Sequence, residues 1–435
     1  MKWVILANYL LSYHQMFKNL NFYITSNFGG GGQTVSRLFN YFSILDSVDN
    51  NNIHILLNYR YLNYREIKPT FNEDQIVSLV EKKKLLINFL KELNINSLFT
   101  PINTSLNFSE FKIKPKILLD SGIGTIVGYW INEKKLSIAE IKKKSLDLLD
   151  EHLSFMNIHK PDLFIALDYC KKNTYKKKET ENHNYNEIIE SLMNDHKSQN
   201  NLLENTLIRS EEYNFKPKII APIHGNKIDD YFEHFKKILT IEKNVKKQFS
   251  GFALGGLNKL KNSEICMIVK KIRDAGEKRI IHILGSAGIK KLIPLIYFGA
   301  DSFDCHTPWR RANDEPSKIL IPLLDKKMNI LKYYENQSLS YIDIYKIKDQ
   351  FLCSCPVCKR FNLETIIKFA KMRSKNVEFY YLSSMLIYFH GIYQYHYLLK
   401  KISLMNDKEE IKFFISEIKD KKFKNSLLED IKTLE

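Results

Sequence analysis

Cys353, Cys355 and Cys358 form a Cys-x-Cys-x-x-Cys run, a spacing that sets three thiolates on one tight turn within reach of a single tetrahedral cation. Pro356 helps to fix that turn. Zinc is the natural occupant, and its fourth ligand must come from elsewhere: His390 and His396 both lie on a later helical stretch. Three buried free thiols, or an iron–sulfur cluster, are the other readings of the run. A zinc with four protein ligands is structural and has no open position for Lewis-acid work. A second kind of chemistry sits at the ends of apolar runs, where Asp120 closes KILLD, Asp168 follows DLFIAL and Asp304 lies within DSFDCH. A carboxylate at a strand exit either caps the turn that follows or is free to attack an electrophile or move a proton.

The elements that must hold these groups are legible between about residues 110 and 310. KILLDSG, DLFIALDYC, KIIAPIHG, GFALGG, RIIHILG and DSFDCH are short β-rich runs separated by longer amphipathic stretches, the pattern of parallel β/α construction. In a (β/α)8 barrel the carboxyl ends of such strands form the active-site face. One unit reads almost completely: a strand over Ile280 to Leu284, a turn at Gly285, a helix from about Ile289 to Phe298 that Ser286 can cap, a stop at Gly299, and a strand at Ser302 and Phe303. Just before it, Ile265, Ile268, Val269 and Ile272 make one apolar helix face closed by Gly276. Residues 171–216 read as a polar insertion, part loop and part solvated helix around Ile188 to Arg209.

A chain of 435 residues with 44% hydrophobic and 12% aromatic content can bury a full core, as one large barrel or two to three smaller domains. The opening MKWVILANYLL has no small-residue cleavage site after it and reads as a buried first strand, and no run approaches a membrane span. The four glycines Gly29 to Gly32 lack the Lys-Ser/Thr of a phosphate-binding loop and read as a flexible loop. Six cysteines, three of them clustered, suit a reducing compartment, so a cytoplasmic location is expected. The net charge of +17 would draw phosphate backbones, although many lysines are as well explained as solvated surface.

The order LLDSG, ALDYC, GFALGGL, HILGSAG with ADSFDCHTPWRRA, then CSCPVC and a distant FHGIYQY resembles the tRNA-guanine transglycosylase superfamily, most of all its DNA-modifying branch. The similar stretch runs from about Ile117 to His396. The resemblance implies a TIM barrel with a zinc-binding subdomain near the C-terminus, residues 1–350 holding the barrel and 351–435 the zinc subdomain and C-terminal helices packed on it. It implies that Cys353, Cys355, Cys358 and His390 bind zinc, His390 being preferred to His396 because His390-Gly391-Ile392 matches the helical ligand motif. It makes Asp304 the nucleophile and Asp120 the proton-shuttling partner. It places Asp168, Cys170, Ser121, Gly255, Gly256 and Leu257 around the base. Three departures from the family stand out: Ile123-Gly124-Thr125 where Gly-Phe-Gln often supplies a stacking ring, His224-Gly225 where many members carry Gln-Gly, and an altered stretch from His306 to Arg311.

Taken together these features imply base exchange: guanine in DNA is replaced by a 7-deazaguanine (preQ0-like) base through a covalent sugar–enzyme intermediate, two displacements as in retaining glycosidases. Asp168 would accept from the N1–H and amine of guanine, and His224 and the Gly255–Leu257 backbone would donate to O6. The target base must leave its stack, with Lys290, Lys291, Arg310 and Arg311 on phosphates and Trp309 free to stack, and accessory proteins are possible partners in opening the DNA. The chain ends some way past His390 in a short charged helix, without room for an appended RNA-binding domain. The alternatives are a tRNA-guanine transglycosylase and a non-catalytic zinc-containing binding subunit.

Overall fold

The computed structural model describes residues 20–25, 54–58, 116–169, 183–213, 218–305, 307–308, 323–324, 330–332, 377–418 and 420–435. Eight parallel strands close into a barrel in sequence order: β1 (Asn21–Thr25), β2 (His54–Asn58), β3 (Lys116–Asp120), β4 (Leu163–Ile165), β5 (Lys218–Ile223), β6 (Gly251–Leu254), β7 (Ile280–Ile283) and β8 (Ser302–Cys305). β8 returns to pair with β1, Tyr23 standing opposite Asp304. The six runs read as strands from the sequence are β3 to β8. The run MKWVILANYLL, the Gly29–Gly32 row, Cys170, Trp309, Arg310, Arg311 and the cysteine triplet lie outside the described residues. A two-stranded antiparallel sheet, β9 (Leu323–Leu324) with β10 (Ile330–Lys332), follows the barrel.

Strand periodicity sorts the side chains into two sets. Leu56, Leu118, Leu163, Ile165, Ile220 and Ala253 form a small buried cluster inside the barrel. Their neighbours Leu119, Phe164, Ile219 and Phe252 belong to the large core shared with the helices. Carrying the interior set forward two residues at a time leads from Leu118 to Asp120, from Ala253 to Gly255, and from Ile280 to His282. The barrel is thus apolar at its base and turns polar at the carboxyl ends, as this architecture requires of a site.

Helices join the strands: α1 (Ile123–Asn132) and α2 (Ile138–His159) after β3, α3 (His183–Asn194) and α4 (His196–Arg209) after β4, α5 (Ile228–Val245) after β5, α6 (Asn262–Asp274) after β6 and α7 (Ile289–Tyr297) after β7. Ser137 starts α2 with a capping box, its backbone N–H donating to Glu140 Oε2 at 2.8 Å. α6 carries the expected apolar face, with Ile265, Ile268, Val269 and Ile272 all buried. α7 ends as expected at a left-handed Gly299. Its start differs: the cap is Gly288, with no side-chain bond, and Ser286 instead accepts from Lys291 Nζ at 3.0 Å.

Residues 171–216 also need correction. Their helical part, α3 and α4, is the β4-to-β5 crossover and not a solvated insertion, because Ile189, Leu192, Leu202, Leu203 and Leu207 are buried in the main core. Asn, Lys and Glu on the outward faces hide that apolar stripe in any average of composition. After the barrel, α8 (Val377–Ser403), α9 (Lys408–Ser416) and α10 (Lys421–Lys432) contribute Ile392, Leu398, Ile411 and Leu427 to the same core, so these helices pack on the barrel. Among the described residues no helix is long and apolar enough to cross a membrane.

Candidate active site

Asp304 ends the interior row of β8 and is 2% exposed. Its Oδ1 accepts from the Gly285 N–H at 2.8 Å and faces His282 Nε2 at 3.1 Å. His282, 0% exposed, turns its other nitrogen to Ser302 Oγ at 2.8 Å. Gly285 reaches this position with φ +68°, a left-handed backbone that suits glycine and opens the turn after β7. Hydrogen bonds to an ionised carboxylate are the stronger, charge-assisted kind, so the orientation of Asp304 is tightly held.

Asp120 is the last residue of β3, opposite Asn58 of β2. Its Oδ1 receives the N–H of Gly122 at 3.5 Å, a long contact, and Gly122 then caps α1 in the left-handed region. Ser121 between them is buried, and its carbonyl lies 3.0 Å from Nε2 of His152 on α2, whose Nδ1 is 2.8 Å from the Leu148 carbonyl. Burial pushes the His152 pKa down to about 4 against the pull of those two carbonyls. A long barrel helix therefore braces the turn that carries Asp120.

Asp168, 3% exposed, lies three residues past β4. His224, just past β5, brings Nε2 to 2.6 Å from Asp168 Oδ2. At this separation the buried imidazole and carboxylate are paired directly. Burial works against a charge on His224, but the Asp168 carboxylate, a backbone bond to Gly255 and the nearby Asp120 carboxylate outweigh it and raise its pKa. The His224 backbone N–H donates to Nδ1 of His234 at 3.2 Å. That ring is held down to about pKa 4, first by burial and then by the charge of His224. The two histidines thus divide into one that favours its proton and one that refuses it.

The glycines beside this pair are there for space. A Cβ on Gly255 would lie 2.2 Å from His224 Cε1, and Gly256 takes φ +72°. Tyr231 donates its hydroxyl to the Gly255 carbonyl at 2.7 Å, and Leu257 is buried as the short turn Leu257–Lys259 begins. On the other side, Gln199 of α4 makes two 3.0 Å bonds to the backbone N–H and carbonyl of Tyr169, fixing the chain immediately after Asp168.

Of the residues singled out from the sequence, the structure places Asp120, Ser121, Asp168, His224, Gly255, Gly256, Leu257 and Asp304 at the carboxyl ends of barrel strands, and the charges of Asp168 and Asp120 both act on His224. Lys290 and Lys291 lie on the first turn of α7, half-buried, at the same end of the barrel. His390 is 3% exposed on α8, and its neighbour Gly391 faces Pro308 just beyond β8. Among the described residues no group of three or more His, Cys, Asp or Glu could hold a metal, the three cysteines not being among them. Sequence reasoning missed His282, Ser302, Tyr231, His234, Gln199 and His152. For His282 and Ser302 the signal was present: each is a polar residue on the interior-facing parity of its strand.

A family model described as queuine tRNA-ribosyltransferase matches residues 89–422, well over half of the chain. Among curated proteins none matches.

Proposed function

The chain belongs to the queuine tRNA-ribosyltransferase family, and on that premise we propose that it replaces guanine in DNA with a 7-deazaguanine base through a covalent sugar–enzyme ester. Membership makes the protein a pentosyltransferase that exchanges guanine. The observation that supports guanine exchange at this site is the gathering of Asp120, Asp168 and His224 at the end of the barrel where the buried Asp304 also lies.

Asp304 attacks C1′ of the target nucleotide: an Asp304 oxygen–C1′ bond forms, the C1′–N9 bond breaks, and guanine departs with the electron pair. Asp120 moves a proton to the leaving base and then takes one from the entering base, whose N9 displaces the Asp304 carboxylate and restores a glycosidic bond. Asp168 receives the N1–H and exocyclic amine of the base. His224 turns from Asp168 to donate to O6, beside the backbone of Gly255 to Leu257. Lys290 and Lys291, with Arg310 and Arg311, hold phosphates, and Trp309 stacks on the displaced strand. Ile123-Gly124-Thr125 in place of a triplet with a stacking ring, His224-Gly225 in place of Gln-Gly, and the altered stretch from His306 to Arg311 together support DNA over tRNA. Cys353, Cys355 and Cys358 with the buried imidazole of His390 form a donor set that suits structural zinc, clamping α8 near the end of β8.

The name of the family, queuine tRNA-ribosyltransferase, favours the second reading, exchange in tRNA. Labelled guanine offered with duplex DNA or with tRNA separates the two: incorporation into DNA is expected, and label entering tRNA alone would overturn the DNA assignment. Metal analysis of His390→Ala against His396→Ala tests the zinc set, with metal lost only from the first.

A further inference from the structure

His282 has no part in the scheme above. We propose that it is a positioning residue for Asp304: with Ser302 behind it, it selects which carboxylate oxygen attacks the sugar. The inference rests on Asp304 being the nucleophile.

The argument begins with register. His282 and Ser302 are paired residues of adjacent strands, and Ser302 is two residues before Asp304 on the same strand face. Three polar side chains therefore share the interior of the barrel wall, with exposures of 0, 1 and 2% for His282, Ser302 and Asp304. Solvent does not compete for their hydrogen bonds. A carboxylate opposite Nε2 calls for a proton on that nitrogen, which leaves Nδ1 as an acceptor in the neutral ring. Ser302 Oγ, 2.8 Å from Nδ1, can meet that lone pair with its hydroxyl proton. The carboxylate thus sets which nitrogen carries the proton aimed at Asp304, and the serine holds the ring in the plane that aims it.

Both hydrogen bonds to the carboxylate, from His282 and from the Gly285 N–H, fall on Oδ1. Among the described residues none falls on Oδ2. The two oxygens, equivalent in free aspartate, are thereby made different: Oδ1 is held, and Oδ2 is the oxygen that bonds to C1′. Two donors from different places, a β7 side chain and the turn after β7, also fix the plane of the carboxylate, which sets the line of attack. Misplacement of a reacting atom by about 1 Å costs on the order of 100-fold in rate.

Three substitutions separate this role from packing. His282→Met keeps the bulk and removes both hydrogen bonds. His282→Asn keeps a polar group near Ser302 but is too short to reach Asp304. His282→Gln extends an amide N–H toward Asp304. Exchange of labelled guanine into whichever of duplex DNA or tRNA the wild type uses should show kcat reduced roughly 100-fold in the Met and Asn variants, with KM for guanine unchanged, and recovered to within about tenfold of wild type by Gln. Equal kcat in the Asn and Gln variants, or wild-type kcat in any variant lacking the donor, would overturn the proposal. If the Met variant fails to fold, the Asn and Gln pair still decides. Asp304→Asn is the control for the underlying reading. Exchange persisting there sinks the nucleophile assignment, whereas a dead Asp304→Asn beside a fully active His282→Asn sinks only the positioning role.

Discussion

His224 and His234 are neighbours with opposite proton preferences, and each leaves a mark on stability. The pKa of His224 is raised above the ordinary 6.5, so the stability of its pairing with Asp168 is fully present below that pH and is lost as pH climbs through the raised value. His234 is lowered to about 4, so between pH 6.5 and 4 the unfolded chain takes up a proton that the folded chain refuses, and stability falls as pH drops through that window. Denaturant midpoints against pH should show His224→Gln flattening the alkaline limb and His234→Gln the acid limb. If each variant keeps the wild-type curve, the assignment of the two protons is wrong. Gly255 is the spatial counterpart. With a Cβ placed 2.2 Å from the His224 ring, Gly255→Ala must push that ring aside. A cost of about 1–3 kcal/mol in stability is expected, and KM for guanine should rise while wild-type KM would show that the ring does not meet the base.

At the scale of elements, the helices act as braces for strand exits. Gln199 of α4 satisfies both backbone groups of Tyr169, so Gln199→Leu leaves a buried N–H and a buried carbonyl unpaired at about 1–3 kcal/mol each. Urea unfolding should register that loss, and hydrogen exchange at the Tyr169 amide should accelerate. An unchanged amide would mean that the strand exit is held by other contacts. The sequence made six strands legible because each apolar run stops at a Gly, Asp or His where the chain leaves the sheet. It hid α3 and α4, whose apolar residues are thinly spaced among Asn and Glu and only show as a stripe once the helix is wound. It also hid β1 and β2, short strands with no such punctuation. Asp120, Asp168 and Asp304 were readable as motif residues; His282 and Ser302 were readable as polar residues on the interior parity but not as partners, since that depends on which strands are neighbours.

For the whole molecule, the end of the barrel opposite the site carries its own fastening. Arg279, just before β7, bonds Glu242 of α5 and Glu277 at 2.6 Å each, and Glu242 also accepts from the Phe249 N–H at 2.8 Å. Glu242 is almost fully buried, so Glu242→Ala leaves the Phe249 amide without its partner and takes one of two carboxylates from Arg279, which keeps Glu277. A loss of about 1–3 kcal/mol is expected in equilibrium unfolding, with the wild-type KM for guanine retained in the folded fraction. A fall of less than about 1 kcal/mol would class the network as surface-like. The pairing of β1 with β8 reaches further. Tyr23 and Asp304 meet across roughly 280 residues of chain, a contact of the slowest-forming kind. Until that seam closes, the strand bearing Asp304 is held by β7 alone and has one open edge. A nascent or half-refolded chain can therefore carry every residue of the site in its sequence while the barrel that gathers them is still open.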